Sequence, residues 1–428
     1  MLDALLDRKG VVSRQIGEAK RSGLAIDGLL DDMKLISAEI KRLRNDSKPK
    51  SPSKLAEDVG ISKPPLFEMG AVDSHIDHSH ISVTHAVDES ERKGWDDYVR
   101  SKSNSSIYHL WTFKKIIESA FGHDPHYLLA KNQSGSIVGV LPAVEMKSRL
   151  FGHFIISQPF FTYGAALFDH ESVEKKLIEA LIDYARSENV EHIELRSTSP
   201  LAALDEKLLS KENKVSMVRS LPESSETLWT EIGSKVRAQV KKAQRYPLEM
   251  KFGQSELLND YYAVFSENMR DLGTPVYAKR FFSEILNSDL SDAFTIGVVY
   301  YDGKPVACCF LLSYQKMMEI PWASTLKSAN HMNVNMFMYW AVLQNAISQK
   351  QQFFDFGRSS KGAGTYRFKK QWGALPQQLY WNYWLPGGGE LPELNPNNPK
   401  YKLLIGVWQK MPVWLTQIVG PLVVKYLP

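Results

Sequence analysis

Residues 353–373 have the sequence FFDFGRSSKGAGTYRFKKQWG, and we predict the fold starting from this stretch. Its first four residues form a short apolar run typical of a buried strand, which ends at Gly357. The loop that follows contains Gly362 and Gly364 and lies among four cations: Arg358, Lys361, Arg367 and Lys369. Glycines allow close backbone approach, and exposed amides beside fixed cations bind anions, most often phosphate. The stretch predicts either a phosphate-binding loop at a strand end or an ordinary strand-to-helix turn whose cations face water.

The elements that precede this stretch occur twice in the chain. Turn residues between apolar runs, the signature of a hairpin, surround Gly135 and again Gly303. Each hairpin is followed by a helix with one apolar face, at 172–187 and from about Asn335. Each helix is followed by a strand that carries an arginine, Arg196 in the first copy and Arg358 in the second. We infer two copies of one mixed α/β unit, in which the second carries the chemistry and the first shapes the cleft.

Length and composition agree with a large folded chain. Its 428 residues predict two to three domains, and 43% hydrophobic residues with 11% aromatics can fill sizeable cores. Cys308 and Cys309 are adjacent in a predicted strand, so they point to opposite faces and indicate reduced, buried thiols. The first residues, MLDALLDRKG, do not resemble a secretory signal, and no apolar run reaches the about 20 residues that span a bilayer. We expect a cytoplasmic protein, with the inner face of the plasma membrane as the alternative.

The positive charge is concentrated at the N-terminus. Residues 1–54 contain twelve Lys and Arg against eight Asp and Glu, which accounts for the whole net charge of +4. Apolar residues at alternating spacings of three and four predict a helical hairpin over 1–46, with two seams: Leu2, Leu5, Val12, Ile16 and Ala19, and Leu29, Met33, Ile36, Ile40 and Leu43. Residues 47–82 have the composition of a linker. The hairpin is interpreted either as an assembly coiled coil or as a basic arm for RNA.

Four motifs together resemble one protein family. They are residues 355–373, the segment RDLGTPV at 270–276, the segment SQPFFTYG at 157–164, and NPNNPKY at 395–401. They resemble the FemAB-related proteins that accompany bacterial exosortase (PEP-CTERM) exopolysaccharide systems, within the Fem-type peptidyltransferases and acyltransferases of GNAT-like fold. The resemblance covers about residue 83 to the end. Residues 13–43 are similar to the tRNA-binding arm of seryl-tRNA synthetases, although Fem enzymes carry their arm elsewhere.

The resemblance implies a mixed α/β fold with tandem GNAT-like domains and transfer of an acyl group to an amine. The expected organisation is a hairpin at 1–46, a linker at 47–82, GNAT-like domains at 83–220 and 221–386, and a tail at 387–428. The co-substrate would be acyl-CoA or aminoacyl-tRNA, with no permanent cofactor. The partners would be that donor, an amine-bearing envelope precursor, tRNA through residues 1–54, and a membrane surface at the tail.

The same resemblance and the residue chemistry assign site residues. Lys369 would stabilise negative charge on the reacting carbonyl or the donor phosphate, and Arg358 would act beside it. The donor phosphate would lie against Ser359, Lys361, Gly362, Gly364 and Thr365. The substrate pocket would contain Tyr163, Gly164, Asn268, Arg270, Thr274, Asn335 and Trp372. Asp355, a costly carboxylate in an apolar strand, is expected to pair with Arg358 as a structural element; the general base stays open.

Other charged and apolar segments have two interpretations each. Arg237, Lys241 and Arg245 share one helical face, which is either solvated or phosphate-binding. His75, His78, His80 and His85 do not match a common zinc spacing, so no metal site is expected. The apolar tail, interrupted by Pro412 and Pro421, either packs on the second domain or lies in a membrane interface. Alternative functions are an acyl-CoA-dependent transferase for a small amine and a non-catalytic scaffold.

Overall fold

A computed structural model describes residues 64–68, 80–201, 208–389 and 399–427, and parts of the N-terminal segment between residues 8 and 36. For 399–403 it describes the backbone alone. The chain divides into two compact units, Met1–Ile61 and Ser62–Pro428. Among the described residues, none of the helices combines the length and the apolar character that crossing a bilayer requires.

The first unit contains helical residues on both sides of a turn at Ser22. Val12 and Ile36, one from each predicted seam, are buried together, with Ile16 and Met33 packed against them. The helical hairpin over 1–46 stays a prediction. The rest of the predicted hairpin, most of the linker at 47–82, and His75 and His78 lie outside the described residues.

Eight strands of the second unit form the first sheet. Its order is β1-β2-β3-β4-β6-β15-β7, with β5 paired to β3. The strands are β1 (Ser82–His85), β2 (Asp124–Lys131), β3 (Ile137–Ser148), β4 (Gly152–Ile156), β5 (Leu167–Phe168), β6 (His192–Ser197), β7 (Leu209–Lys211) and β15 (Tyr380–Trp384). The pairs are antiparallel except β4 with β6, which run parallel.

The remaining seven strands form the second sheet, in the order β14-β8-β13-β12-β11-β10-β9. They are β8 (Lys214–Ser220), β9 (Leu248–Gly253), β10 (Phe294–Tyr301), β11 (Lys304–Tyr314), β12 (Met317–Thr325), β13 (Phe353–Ser360) and β14 (Leu375–Gln378). Again one pair is parallel, β12 with β13. Both sheets are therefore mixed, and each contains one parallel junction at the same place in the repeated order.

Helices cover the sheets. They are α1 (Arg92–Ser101), α2 (Thr112–Phe121), α3 (Glu171–Ser187), α4 (Ser225–Glu231), α5 (Ser234–Ala243), α6 (Leu258–Leu272), α7 (Lys279–Leu286), α8 (Val334–Ser348), α9 (Gly364–Gln371), α10 (Pro399–Trp408) and α11 (Val413–Val424). Cys308 belongs to the core on the α6 side of β11, and Cys309 to the core on the α8 side. Both thiols are free and buried. This is expected because successive side chains of a strand point to opposite faces, and both faces of β11 are covered.

The two copies expected from the sequence are present. The hairpins β2–β3 and β10–β11 surround Gly135 and Gly303, and each leads to a strand, a long helix and a second, parallel strand. In α3, Val173, Leu177 and Leu181 are fully buried because their spacing places them on one face. Two strands were not expected from the repeated order. The strand β8 precedes the second copy in the chain but pairs within the second sheet. The strand β15 follows the second copy but pairs within the first sheet. The ranges 83–220 and 221–386 stay a prediction of domain organisation.

Candidate active site

The parallel junction of β12 and β13 opens after three residue pairs. Pairing runs from Met317 opposite Phe353 to Glu319 opposite Asp355. Beyond this position, β12 continues to Thr325 and β13 to Ser360 without pairing to each other. Paired residues in neighbouring strands point to the same face, so the last pair places two carboxyl groups side by side where the sheet opens.

The two carboxyl groups are held in a buried hydrogen-bond network. The Tyr163 hydroxyl lies 2.9 Å from Oε2 of Glu319 and 3.3 Å from Oδ2 of Asp355. The Tyr108 hydroxyl donates to the same Glu319 oxygen at 3.0 Å. Oδ1 of Asp355 accepts from the Ser216 hydroxyl and, at 2.7 Å, from the Gly357 amide. Both halves of the chain thus contribute to one polar cluster, because the tyrosines come from the first half and the carboxyls from the second.

Burial makes this pair difficult to ionise. Desolvation, followed by the neighbouring Asp355 charge, raises the pKa of Glu319 to about 8. Desolvation also raises the pKa of Asp355, against the hydrogen bonds from Ser216 and Gly357 that favour its charged form. Asp355 has more donors to its carboxylate, so we assign the shared proton at neutral pH to Glu319. Glu319 is therefore able to exchange a proton near neutral pH.

Lys369 completes the cluster from α9. Its side chain is buried, and Nζ donates to the carbonyl oxygens of Gly357 and Arg358 at 2.9 Å each. Desolvation lowers the pKa of Lys369 to about 8, while the charges of Asp355 and Glu319 act in the opposite direction. The next residue, Lys370, is exposed. The ammonium of Lys369 is thus fixed by two carbonyls beside the opened strands, with one N–H left for a further acceptor.

Gly357 makes this arrangement possible. Its φ of 77° lies in the left-handed region, which side chains other than glycine's rarely allow. The register of β13 against β8 shifts at the same point, between Asp355 and Arg358. At this irregular point the carbonyls of Gly357 and Arg358 face Lys369, and the amide of Gly357 faces Asp355.

We therefore expect Gly357→Ala to destabilise the protein by about 1–2 kcal/mol, the cost of a left-handed conformation for an L-residue. Urea denaturation of the pure variants measures this change. The matched control is Gly364→Ala at the start of α9, where an added Cβ meets nothing within 4 Å and φ is not in the left-handed region. Equal stability of both variants and wild type would show that Gly357 is not strained.

Two arginines, one from each copy, lie against Trp381. The guanidinium carbon of Arg196 is 4.5 Å from the centre of the indole and that of Arg358 is 4.6 Å away. Arg196 is buried and its Nε donates to Oε1 of Glu194 at 2.6 Å. Arg358 is exposed although protein surrounds it closely, and desolvation together with the Arg196 charge lowers its pKa to about 10. An accessible cation beside a second cation is suited to an anion.

The loop between β13 and α9 is open. An added Cβ at Gly362 or Gly364 would meet nothing within 4 Å, and Lys361 and Thr365 are exposed. Ser359 is buried with its hydroxyl lacking a partner, and Lys214 donates to the Ser360 hydroxyl at 2.6 Å. The predicted donor-binding residues therefore lie together at one end of the opened strands, although their contacts with a donor stay a prediction.

A cavity of about 610 Å³ adjoins Glu319 of the carboxyl pair. Glu319, Tyr108 and Tyr163 line it, as do several serines between Ser101 and Ser106. Arg100 and Lys316 supply cations to the lining, and Leu312 and Phe353 belong to its apolar part. The cavity gives a molecule of moderate size access to Glu319 from the side of the paired strand segments.

The remaining predicted pocket residues are distributed over the fold. Tyr163 lines the cavity, and Gly164 follows it in the same buried turn. Asn268 donates to the Ser324 hydroxyl of β12 at 3.0 Å. Arg270 bonds Asp271 and the Met411 carbonyl, so it holds the tail. The other three are an exposed Thr274, a half-buried Asn335 in the first turn of α8, and a fully buried Trp372.

The expected ion pair between Asp355 and Arg358 is wrong. Asp355 bonds Ser216, Gly357 and Tyr163, whereas Arg358 is exposed and lies over Trp381. Strand alternation and the turn at Gly357 send the two side chains to different surroundings. Sequence reasoning also missed Glu319, although the cost of a carboxylate in an apolar strand, the argument used for Asp355, applies equally to Met317–Ile320.

The basic helix α5 and the described histidines have mainly local contacts. Arg237 donates to the carbonyls of Trp229, Thr230 and Ile232 and so caps α4, while Lys241 and Arg245 are exposed. His85 packs edge-on against His126 and Tyr184. Among the described residues, no group of three or more His, Cys, Asp or Glu is arranged to hold a metal ion.

Comparison with known proteins agrees with this architecture. The family model described as Acetyltransferase (GNAT) domain matches residues 234–370, which include Glu319, Arg358 and Lys369. The solved structure of FemX superposes with a TM-score of 0.55 at 12% identity, covering 76% of this chain and 100% of that chain. A comparison with curated protein sequences gave no match.

Two further solved structures superpose less closely. A tandem GNAT protein from the clavulanic acid biosynthesis pathway gives a TM-score of 0.48 at 8% identity, with 73% of this chain and 100% of that chain covered. L-PGS from Bacillus licheniformis gives 0.46 at 11% identity, with 76% and 98% covered. The mixed α/β fold with two repeated halves, expected from the sequence, is confirmed by the two sheets, and the GNAT family model matches within the second half. Residues 234–370 in the second half are similar to the GNAT acetyltransferase domain, and the association with exosortase systems stays a prediction.

Proposed function

We propose that the chain transfers an activated acyl or aminoacyl group from a phosphate-containing donor to an amine. One observation carries this proposal: Lys369, held by two carbonyls, lies beside a buried carboxyl that can exchange a proton near neutral pH. Acyl transfer requires both groups, because a proton leaves the amine while negative charge develops on the carbonyl oxygen.

The reaction balances with these residues alone. The amine nitrogen attacks the carbonyl carbon of the donor, and Glu319 takes the proton that the nitrogen loses. Lys369 donates its remaining N–H to the oxyanion of the tetrahedral intermediate. The carbonyl forms again as the bond to the donor's sulfur or oxygen breaks, and the leaving group receives the proton that Glu319 took from the amine, which returns Glu319 to its starting state. Placing both reactants in one cleft supplies much of the rate enhancement, because well-oriented reactions gain up to about 7–11 kcal/mol.

The donor and acceptor would approach from different sides. The donor phosphate would lie at Arg358, Lys361, Ser359 and the amides of the Gly362–Thr365 turn, at the unpaired ends of β12 and β13. Arg196 and Trp381 would position Arg358. The amine would enter through the cavity and meet Glu319 between Tyr108 and Tyr163. This separation leaves the reacting carbonyl at the junction, next to Lys369.

The finer assignment is an aminoacyl or N-acyl transferase in cell-envelope or exopolysaccharide assembly. The FemX-like fold supports this choice. Acyl-CoA and aminoacyl-tRNA both contain phosphate, so the cation-lined loop accepts either, and residues 1–54 would hold tRNA in the second case. The small-amine transferase and the non-catalytic scaffold are alternative outcomes of the donor test below.

Thermal unfolding with a panel of acyl-CoAs and aminoacyl-tRNAs tests the donor class. A donor at about 100 times its Kd stabilises the folded chain by about 2.7 kcal/mol, which raises Tm by a few degrees. We expect one class to raise the Tm of wild type, and Arg358→Gln to weaken that shift, with Lys370→Gln as the exposed control. If no donor changes Tm, or if Arg358→Gln responds like wild type, the proposed donor site is wrong.

A further inference from the structure

The helix α11 has an unusual arrangement of its two sides. Thr416, Gly420 and Val424, spaced by four, are buried. The opposite side carries Trp414, Ile418 and Leu422, which are 62%, 61% and 62% exposed. A helix packed on a soluble protein normally presents polar residues to water, so this apolar side is expected to have a partner.

Exposed apolar side chains also occur on elements close to α11. Leu404 and Val407 of α10 are 63% and 55% exposed, and Leu272 at the end of α6 is also exposed. Leu150, in the turn between β3 and β4, is 82% exposed and adjoins Phe151, whose ring stacks on Tyr426 at 6.0 Å. Among the described residues from 64 onward, the other exposed large apolar side chains are Val87 and Phe252. We call this set the C-terminal apolar face: Leu150, Leu272, Leu404, Val407, Trp414, Ile418 and Leu422.

The C-terminal apolar face is held in place by the fold. Gln417 donates to the Ser266 hydroxyl at 2.8 Å, and Arg270 donates to the Met411 carbonyl at 3.2 Å. At Gly420 the helix passes so close to Val276 that an added Cβ would lie 2.8 Å from its amide nitrogen. These contacts pack the tail against the second copy, while Tyr426 stacks on Phe151 of the first copy. The same packing fixes Trp414, Ile418 and Leu422 outward.

Charge indicates what covers this face. Residues 411–424 contain no ionisable side chain, and the flanking charged residues are Lys410 and Lys425. Arg149 precedes the exposed Leu150, and Asp271 near the end of α6 pairs with Arg270 and Lys327. An apolar strip with flanking cations and an exposed tryptophan matches the interface of an anionic bilayer. A second copy would bring the same cations against each other.

We propose that the C-terminal apolar face docks on the surface of a membrane that contains anionic phospholipid. The helices α10 and α11 have 10 and 12 residues. Each is too short to span a bilayer, which takes about 20 residues, so they would lie in the plane of the interface. Trp414, Ile418 and Leu422 enter the acyl boundary while Lys410 and Lys425 stay at the phosphates. This inference does not depend on the reaction.

Flotation of the full chain with lipid vesicles tests the proposal. Wild type is expected to float with vesicles of mixed phosphatidylcholine and phosphatidylglycerol, and much less with phosphatidylcholine alone. The triple variant Trp414→Gln, Ile418→Gln, Leu422→Gln should lose at least about tenfold in vesicle affinity. These side chains are exposed, so the far-ultraviolet circular dichroism and Tm should stay those of wild type.

The control variant replaces the two exposed apolar residues elsewhere, Val87→Gln with Phe252→Gln, and should float like wild type. Lys410→Glu with Lys425→Glu should remove the preference for phosphatidylglycerol. Wild type that stays with the soluble fraction, or a triple variant that floats equally, would overturn the proposal. So would light scattering that shows a wild-type dimer, a monomeric triple variant and no vesicle binding by either, because the face would then join two copies.

Discussion

Replacing Glu319 by glutamine is expected to lower kcat by about 10²–10⁴-fold, the usual contribution of a general base. Glutamine keeps the shape of the side chain and its contacts with the Tyr108 and Tyr163 hydroxyls, but it cannot accept the proton of the amine. KM for the donor should change little, because the proposed donor contacts lie at Arg358 and the loop after β13. The measurement is steady-state kinetics with the donor identified by thermal unfolding, with the exposed Glu223→Gln as control.

The pH dependence gives a second readout of the same variant. With a pKa of about 8, Glu319 is mostly protonated at pH 6 and becomes a competent base as the pH rises. Wild-type kcat should therefore increase up to about pH 8, and the residual activity of Glu319→Gln should lack this increase. A variant with the wild-type rate and profile would show that another group takes the proton.

The free energy of unfolding should decrease over the same pH range in which kcat increases. The folded-state pKa of Glu319 is raised from 4.5 to about 8, so the unfolded chain ionises first as the pH rises. The stabilising effect of the neutral carboxyl is fully present below pH 4.5 and is lost progressively up to about pH 8. Urea denaturation at pH 5 and pH 8 should show a smaller loss of unfolding free energy for Glu319→Gln than for wild type.

Lys369→Met is expected to reduce kcat by about 10²–10³-fold, the cost of removing one oxyanion donor. Methionine fills a similar volume, so the effect reports the lost charge and N–H. The control is Lys370→Met, which removes the same charge one residue later, where the side chain is exposed, and should leave kcat unchanged.

The pH dependence of the free energy of unfolding is the control measurement for the fold of Lys369→Met. Desolvation lowers the folded-state pKa of Lys369 from 10.5 to about 8. The fold is therefore destabilised by this charge at neutral pH and gains stability as the pH rises from 8 toward 10.5. Lys369→Met should lose this dependence, while a cooperative urea transition at pH 7 shows that the variant is still folded. If Lys369→Met and Lys370→Met both turned over as fast as wild type, Lys369 would have no role in the mechanism.

Local patterns allowed much of the fold to be predicted. The apolar run at Phe353, the glycine turns at Gly135 and Gly303, and the helical spacing in α3 are each set by neighbouring residues, so they survive in the structure. The repeated order then indicated two copies. The exchange of β8 and β15 between the sheets could not be foreseen, because it depends on pairing between strands distant in sequence.

Part of the candidate site could also be predicted, because some of its residues belong to one local sequence pattern. Lys369 and the loop glycines belong to one continuous stretch, and the structure brings them to the opened strands. Tyr108 and Ser216 reach the carboxyl pair from distant segments, and no local pattern marks them. The error at Asp355 arises because strand alternation and the left-handed turn at Gly357 together separate its side chain from that of Arg358. Trp372 was placed in the pocket by resemblance, yet the structure buries it in the core.

The most direct test of the account is amide formation, measured by mass spectrometry, from the donor that binds and a panel of amines. Wild type is compared with the double variant Glu319→Gln, Lys369→Met, which should still bind the donor through Arg358. We predict a new amide product with wild type and none above background with the double variant. Equal amounts of product from both proteins would contradict the account, because the buried carboxyl and lysine would then have no part in the transfer.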